Sequence, residues 1–224
     1  MQTEARVIDL SKSEYGTFAA PDTNRVIRNT YKLLALSTGV AAVGAGISML
    51  AGFGPLTGIV FTLLGLVPQF YLSKHRDSAS AVPAMLTFTG LSGLGLGPIL
   101  THYLSLPGGS ATVMTAAVLT TAVTLALTGY VHKTGKDFTR MGGFLFAGLI
   151  VVLLASIAAI FVPAMQAGVS AVAALLFSGF ILFDTSRLIR GEEDNYVMAA
   201  CSMYLNVLNL FLSILQLLGF SVDD

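Results

Sequence analysis

One short stretch of the sequence raises a chemical question. Residues 178–191 read SGFILFDTSRLIRG, so that Asp184 directly follows a long apolar run and precedes Arg187 by one helical turn. If this run crosses a membrane, an ionised side chain within it costs roughly 3 kcal/mol or more, and such residues face a cavity and have a partner. Two interpretations are open. Asp184 is a gating or ion-binding carboxylate, or it lies at the membrane interface and pairs with Arg187 at i+3.

A second set of polar side chains lies near the C-terminus at steps of 4, 3, 4 and 3 residues: Ser202, Asn206, Asn209, Ser213 and Gln216. At 3.6 residues per turn these positions share one helix face. Lipid would penalise this face, so we expect it to point into a helix bundle. It either makes hydrogen bonds between helices or lines an ion or water path. The preceding acidic segment, residues 192–194, is either a solvated loop or a weak attractor of cations.

The composition identifies the solvent that surrounds these residues. The chain is 54% hydrophobic and 11% charged, with a mean hydropathy of +0.79. Soluble proteins carry about 25% charged residues. We therefore predict a protein whose main partner is membrane lipid. The net charge of zero gives no indication of a nucleic-acid partner, and the single Cys201 allows no internal disulfide and no cysteine-based metal site.

The sequence lacks the common catalytic motifs. It contains no G-x-S-x-G, no H-E-x-x-H, no P-loop and no G-x-G-x-x-G. The three histidines, His75, His102 and His132, fall at the edges of apolar segments, where no buried serine–histidine pair can form. We therefore expect a protein that is not an enzyme and that has no cofactor and no bound metal.

Seven apolar segments are long enough to cross a bilayer as helices, which needs about 20 residues. They are Tyr31–Leu50, Pro55–Leu72, Pro83–Tyr103, Ala111–Val131, Gly142–Phe161, Ala167–Ile189 and Tyr196–Phe220. The predicted fold is an all-α membrane protein with seven transmembrane helices. We divide the chain into a polar cytoplasmic tail (residues 1–28), a transmembrane domain (residues 29–220) and an acidic periplasmic end (residues 221–224).

The basic residues predict this orientation. All twelve Lys and Arg residues lie in the tail, at the start of the first span, in the last turn of span six, or in the connections after spans two, four and six. The other connections carry none, and the C-terminal SVDD is acidic. The positive-inside rule therefore places the N-terminus in the cytoplasm and the C-terminus outside.

Three segments in combination resemble the Bax inhibitor-1 (TMBIM) family, and in particular its bacterial YccA-like branch. They are GLSGLGLGPIL in span three, ILFDTSRLIRGEEDNY at the end of span six, and MYLNVLNLFLSILQLLG in span seven. The resemblance extends from about Arg25 to Phe220, and RVIRNTYKLLAL before the first span belongs to it. It implies a seven-helix bundle with the last helix central and wrapped by the other six.

The resemblance also implies two functions. For the YccA-like branch it implies binding to, and modulation of, the membrane-anchored AAA+ protease FtsH in the bacterial inner membrane. For leak-type relatives it implies a pH-sensitive calcium leak, with calcium ions or protons as ligands. In that leak an aspartate of span six and one of span seven share a proton and work with an arginine of span two.

Carried over to this chain, the first aspartate is Asp184, while Asn206 takes the place of the second. Asn206 cannot ionise, so the like-charge repulsion of a carboxylate pair is missing. Arg76, just beyond span two, is the nearest candidate for the arginine. The candidate gating or ion-path residues are therefore Asp184, Arg187, Asn206 and Asn209.

Overall fold

A computed structural model describes residues 23–220, which form seven long helices and no strand. The helices are α1 (Thr23–Leu50), α2 (Pro55–Lys74), α3 (Ala81–Ser105), α4 (Gly109–Thr134), α5 (Gly142–Phe161), α6 (Gln166–Ile189) and α7 (Tyr196–Phe220). Single 3₁₀ turns precede α5 and α6. All seven helices are long and apolar enough to cross a membrane. The predicted all-α fold with seven transmembrane helices is confirmed.

Most helix ends lie within three residues of the predicted span ends, and the bounds of α5 and α7 coincide with the prediction. The exception is α1, which begins at Thr23 and not at Tyr31. Val26 is buried against Leu188 and Met203, so packing extends the helix beyond its apolar run. Residues 23–28 of the predicted tail are therefore helical, and residues 1–22 and 221–224 lie outside the described residues.

The last helix, α7, is the most enclosed of the seven. In the most apolar 18-residue stretch of α7, 50% of the residues are buried, compared with 39% in that of α3 and 11% in that of α4. Four helices pack against it, namely α1, α3, α4 and α6. The main contacts of α2 are with α3, and those of α5 are with α6. The central place of the last helix is thus confirmed, but it is enclosed mainly by four helices and not by all six.

Glycines allow the first three helices to approach closely. A Cβ atom on Gly44 of α1 would lie only 2.7 Å from the carbonyl oxygen of Gly90, and one on Gly93 of α3 would overlap the backbone of Ala41. Lipid tails are as apolar as the helix surfaces, so close backbone packing contributes much of the association free energy of membrane helices. The α1–α3 interface therefore depends on these glycines.

The connections after α2, α4 and α6 lie at one end of the bundle, together with the start of α1. Asn195 links two of them. Its Oδ1 accepts hydrogen bonds from the backbone N–H groups of Val197 (2.9 Å) and Met198 (3.0 Å), which caps α7. Its Nδ2 donates to the carbonyl oxygen of Arg76 (2.8 Å) and to Asp77 Oδ1 (2.9 Å) in the α2–α3 connection.

The α4–α5 connection is held at the same end by α6. The buried Ser186 hydroxyl donates to the carbonyl oxygen of Lys136 and accepts the N–H of Phe138, both at 3.0 Å. Arg190 forms an ion pair with Asp137 at 3.5 Å. All the basic connections of the described residues therefore share one face of the molecule, as the positive-inside argument requires.

We predict that Gly93→Ala destabilises the bundle by about 1–3 kcal/mol, because the added methyl group forces α1 and α3 apart. Gly39→Ala on α1 is the matched control, since a Cβ atom there meets nothing within 4 Å. It should leave stability unchanged or raise it by up to ~1 kcal/mol through helix propensity. Thermal unfolding of the purified variants in detergent measures both. Equal melting temperatures for the two variants would show that the α1–α3 contact is loose.

Candidate functional site

Asp184 is the centre of the candidate site. It lies on α6 and is buried, with 8% of its surface exposed, where α6 packs against α7. Its Oδ2 atom accepts a hydrogen bond from Ser202 Oγ at 2.5 Å and a second from Asn206 Nδ2 at 2.7 Å. Ser202 and Asn206 are four residues apart, so both project from the same side of α7 toward one carboxylate oxygen. The sequence-predicted residues Asp184 and Asn206 are thus brought together.

Arg187 does not pair with Asp184. Its Nη2 atom lies 3.2 Å from Glu193 Oε2, and its guanidinium lies over the Phe183 ring at 5.6 Å from the centroid. The alternative that Asp184 simply pairs with Arg187 is therefore wrong. The reason is that Asp184 points into the α6–α7 interface, where neutral donors of α7 reach it, while Arg187 extends to the connection that follows α6.

The sequence allowed the acidic segment after α6 to be a solvated loop. The structure agrees for two of its three acidic residues. Glu192 and Asp194 are exposed, but the Glu193 side chain is 15% exposed because it pairs with Arg187. Glu193 Oε1 also accepts the backbone N–H of Asn195 at 3.3 Å. This carboxylate therefore stabilises the turn into α7.

The rest of the polar face of α7 has mixed roles. Asn209 donates to the carbonyl oxygen of Leu205 (2.8 Å), and Ser213 donates to that of Asn209 (2.7 Å), both within the same helix. Gln216 accepts a hydrogen bond from Ser170 of α6 at 3.0 Å. The face thus joins α7 to α6 at two levels, and its middle part is satisfied by the helix's own backbone.

The arginine expected from span two does not reach this site. Arg76 lies in the α2–α3 connection, where its side chain is half exposed and forms an ion pair with Asp77 at 3.5 Å. Within residues 23–220, no group of three or more His, Cys, Asp or Glu side chains is placed to hold a metal ion. Among the described residues, the site is therefore a single buried carboxylate that accepts hydrogen bonds from neutral donors.

A cavity that the sequence analysis did not predict lies beside this site. It has a volume of about 660 Å³ and lies between α1, α4 and α7, with Ile181 of α6 in its wall. At one end, Tyr31 of α1 and His132 of α4 are hydrogen-bonded at 3.0 Å. The sequence analysis placed His132 at the edge of an apolar segment and Tyr31 at the start of the first span, and it predicted no contact between them. A usable signal was present in α4, where Thr121, Thr124, Thr128 and His132 follow at helical spacing.

We predict that Asn206→Leu lowers the free energy of unfolding by about 1.5–3 kcal/mol, because a buried carboxylate loses a hydrogen-bond donor. Asn209→Leu is the matched control on the same helix. It should cost less than ~1 kcal/mol, since its hydrogen bond is to a carbonyl already in the helix ladder. Denaturant unfolding in detergent compares the two variants. A larger loss in Asn209→Leu would mean that the polar face is anchored elsewhere.

The chain matches one protein family and several bacterial proteins over most of its length. The sequence model of the family described as "Inhibitor of apoptosis-promoting Bax1" matches residues 23–223. An uncharacterized membrane protein of Vibrio cholerae is 45% identical over 201 residues, which cover 88% of this chain and 90% of that protein. A protein of Escherichia coli K12 named "Modulator of FtsH protease YccA" is 40% identical over 205 residues, which cover 90% of this chain and 93% of that protein.

Two further relatives extend the comparison. The counterpart in E. coli O6:H1, named "Inner membrane protein YccA", has the same 40% identity, and a protein of Pseudomonas aeruginosa is 38% identical over 202 residues. The matches span almost the whole helical bundle, including α6 and α7, which supply the buried carboxylate and its donors. This chain is therefore a membrane protein that belongs to the Bax inhibitor-1 family.

Proposed function

We propose that this protein binds the membrane-anchored protease FtsH in the bacterial inner membrane and modulates it. The observation that carries the proposal is the identity of 40% over nine-tenths of the chain with a protein named as a modulator of FtsH protease. The region of 40% identity includes the membrane helices. Two integral membrane proteins make contact through such helices. The protein acts on FtsH as a binding partner and not as an enzyme.

The two peripheral helices support a docking role. α2 and α5 present large apolar side chains on their outer faces, with Leu56 (76% exposed) on α2 and Phe144 (75% exposed) and Ile160 (70% exposed) on α5. Helices associate in a membrane by packing such faces against a partner in place of lipid. We propose that transmembrane helices of FtsH pack on α2 or α5, which leaves the α6–α7 interface intact.

The proposed orientation puts the basic face of the bundle in the cytoplasm. Seven crossings place the two chain ends on opposite sides of the membrane. We predict that a cysteine introduced at Ser13 reacts only with reagents on the cytoplasmic side, and one at Val222 only with reagents on the periplasmic side. Cys201→Ala is the background, since Cys201 is the single native thiol. Labelling of both sites from the same side would contradict the orientation and the crossing number.

The proposal gives a separate role to the N-terminal residues, which lie outside the described part of the chain. Residues 1–20 contain few large apolar side chains and several charges, a composition that does not form a packed core by itself. A processive protease needs such a segment to begin pulling on a substrate. We propose that this segment is the entry point through which FtsH engages and degrades the protein.

We predict that deleting residues 2–20 leaves insertion and binding to FtsH intact but lengthens the half-life of the protein. Arg25 and Arg28 remain, so the positive-inside signal is preserved. The measurements are co-purification from detergent extracts and half-life in cells with active FtsH. Deletion of residues 221–224 is the control, since that end faces the periplasm in the proposed orientation and its loss should not change the half-life.

Two outcomes would contradict parts of this proposal. If the tail deletion leaves the half-life unchanged, the entry-point role is wrong while binding stands. If the full-length protein does not co-purify with FtsH, the binding proposal is wrong. The alternative, a cation leak with Asp184, Arg187, Asn206 and Asn209 along its path, then becomes the first hypothesis, and it stays a prediction until ion flux is measured.

A further inference from the structure

Two helices of the bundle leave a gap between them. α1 and α4 both pack on α7, but they do not pack closely on each other. Two cavities of about 660 and 410 Å³ occupy the space between α1 and α4, and both are lined by Thr38, Thr121 and Val207. We call the combined space the α1–α4 crevice. Each of the two volumes falls in the range of roughly 300–1,000 Å³ that is typical of ligand pockets.

The lining of the α1–α4 crevice is apolar. Met203, Val207 and Phe211 of α7 form its floor. The hydroxyl groups of Thr38 and Thr121 donate to the carbonyl oxygens of their own helices, at 2.9 and 2.8 Å, whereas the hydroxyls of Thr124 and Thr128 are buried and have no hydrogen-bond partner among the residues that the structure describes. A long hydrocarbon chain matches the floor and the other apolar residues of this lining, and such chains are abundant in the surrounding lipid.

One end of the α1–α4 crevice lies near three cations, none of which lines either cavity. It is the end at which Tyr31 and His132 are hydrogen-bonded. Lys32 and Lys133 are the sequence neighbours of these two residues, and Arg28 lies one turn before Tyr31 on the same face of α1. All three cations are exposed, and none takes part in an ion pair within residues 23–220. An anionic group at this end would therefore be stabilised.

We propose that the α1–α4 crevice binds an anionic phospholipid, with an acyl chain along the floor of α7 and the phosphate among Lys32, Lys133 and Arg28. The apolar lining and the unpaired cations are matched by one molecule with both properties. A transmembrane helix of a partner or a second copy is about 10 Å across and about 30 Å long, so its volume of roughly 2,400 Å³ is about twice that of the two cavities together. The lipid proposal does not depend on FtsH binding.

The absence of tryptophan from the chain allows a direct test. Leu34→Trp places a single fluorescent reporter in the lining of the α1–α4 crevice. The full-length variant is reconstituted in bilayers that contain phosphatidylglycerol and phosphatidylcholine, with bromine atoms on the acyl chains of only one lipid. Bromine quenches the reporter on contact. We expect phosphatidylglycerol to associate with the reporter at least about fivefold more strongly, the effect of one surface cation.

Matched variants distinguish a specific lipid site from a general preference of the protein surface for anionic lipid. Arg28→Gln, Lys32→Gln and Lys133→Gln in combination should abolish the preference for phosphatidylglycerol, whereas Lys74→Gln, at the end of α2, should retain it. Leu154→Trp on the outer face of α5, which is 63% exposed, should be quenched equally by both lipids. Thr38→Trp, which lines both cavities, is the second reporter if Leu34→Trp does not fold.

Three results would overturn the proposal. Equal quenching of the crevice reporter by the two lipids would show that the α1–α4 crevice does not select between their headgroups. Protection of the reporter from both lipids would show that protein, either a second copy or the helices themselves, fills the crevice. A preference that survives in the triple glutamine variant would show that the three cations do not select the lipid.

Discussion

The structure depends on how a carboxylate is accommodated within a bundle that faces lipid. Asp184 is buried in α6, and its oxygen accepts hydrogen bonds from Ser202 and Asn206 of α7. An unsatisfied ionised group at this depth would cost several kcal/mol. α7 is therefore held against α6 at a defined height, and the remaining helices are arranged around this pair. The same requirement explains why the polar face of α7 points inward.

The other contacts follow from the position of α7. α1 and α3 reach it and pack on each other through glycines, while α4 reaches it from the far side and leaves the α1–α4 crevice open. α2 and α5 are left at the periphery with apolar outer faces. One arrangement thus provides an enclosed polar junction, an apolar crevice with a basic end and two faces for a membrane partner, which keeps the three proposed roles spatially separate.

Much of the fold could be predicted from the sequence because lipid imposes simple rules. Seven apolar runs of bilayer length predicted seven helices, and the spacing from Ser202 to Gln216 predicted that α7 is enclosed. The early start of α1 could not be predicted, because the burial of Val26 against Leu188 is a tertiary contact. Hydropathy locates the part of a helix that lies in lipid and not the turns beyond it.

The candidate site was predicted in its residues but not in its pairing. Asp184 and Asn206 were identified, and the structure brings them together. The i+3 spacing allowed Arg187 as a partner, but spacing along one helix does not tell which side chain a second helix offers. For the same reason the Tyr31–His132 contact was missed, since 101 residues separate the two in sequence.

The central claim is that the Asp184–Asn206 hydrogen bond couples α6 to α7. A double-mutant cycle tests it most directly, with Asp184→Leu, Asn206→Leu and the double variant unfolded reversibly in detergent. The account predicts that the double variant loses about 1.5–3 kcal/mol less stability than the sum of the single variants, because each single change leaves a buried polar group without its partner. Losses that add to within about 0.5 kcal/mol would contradict it.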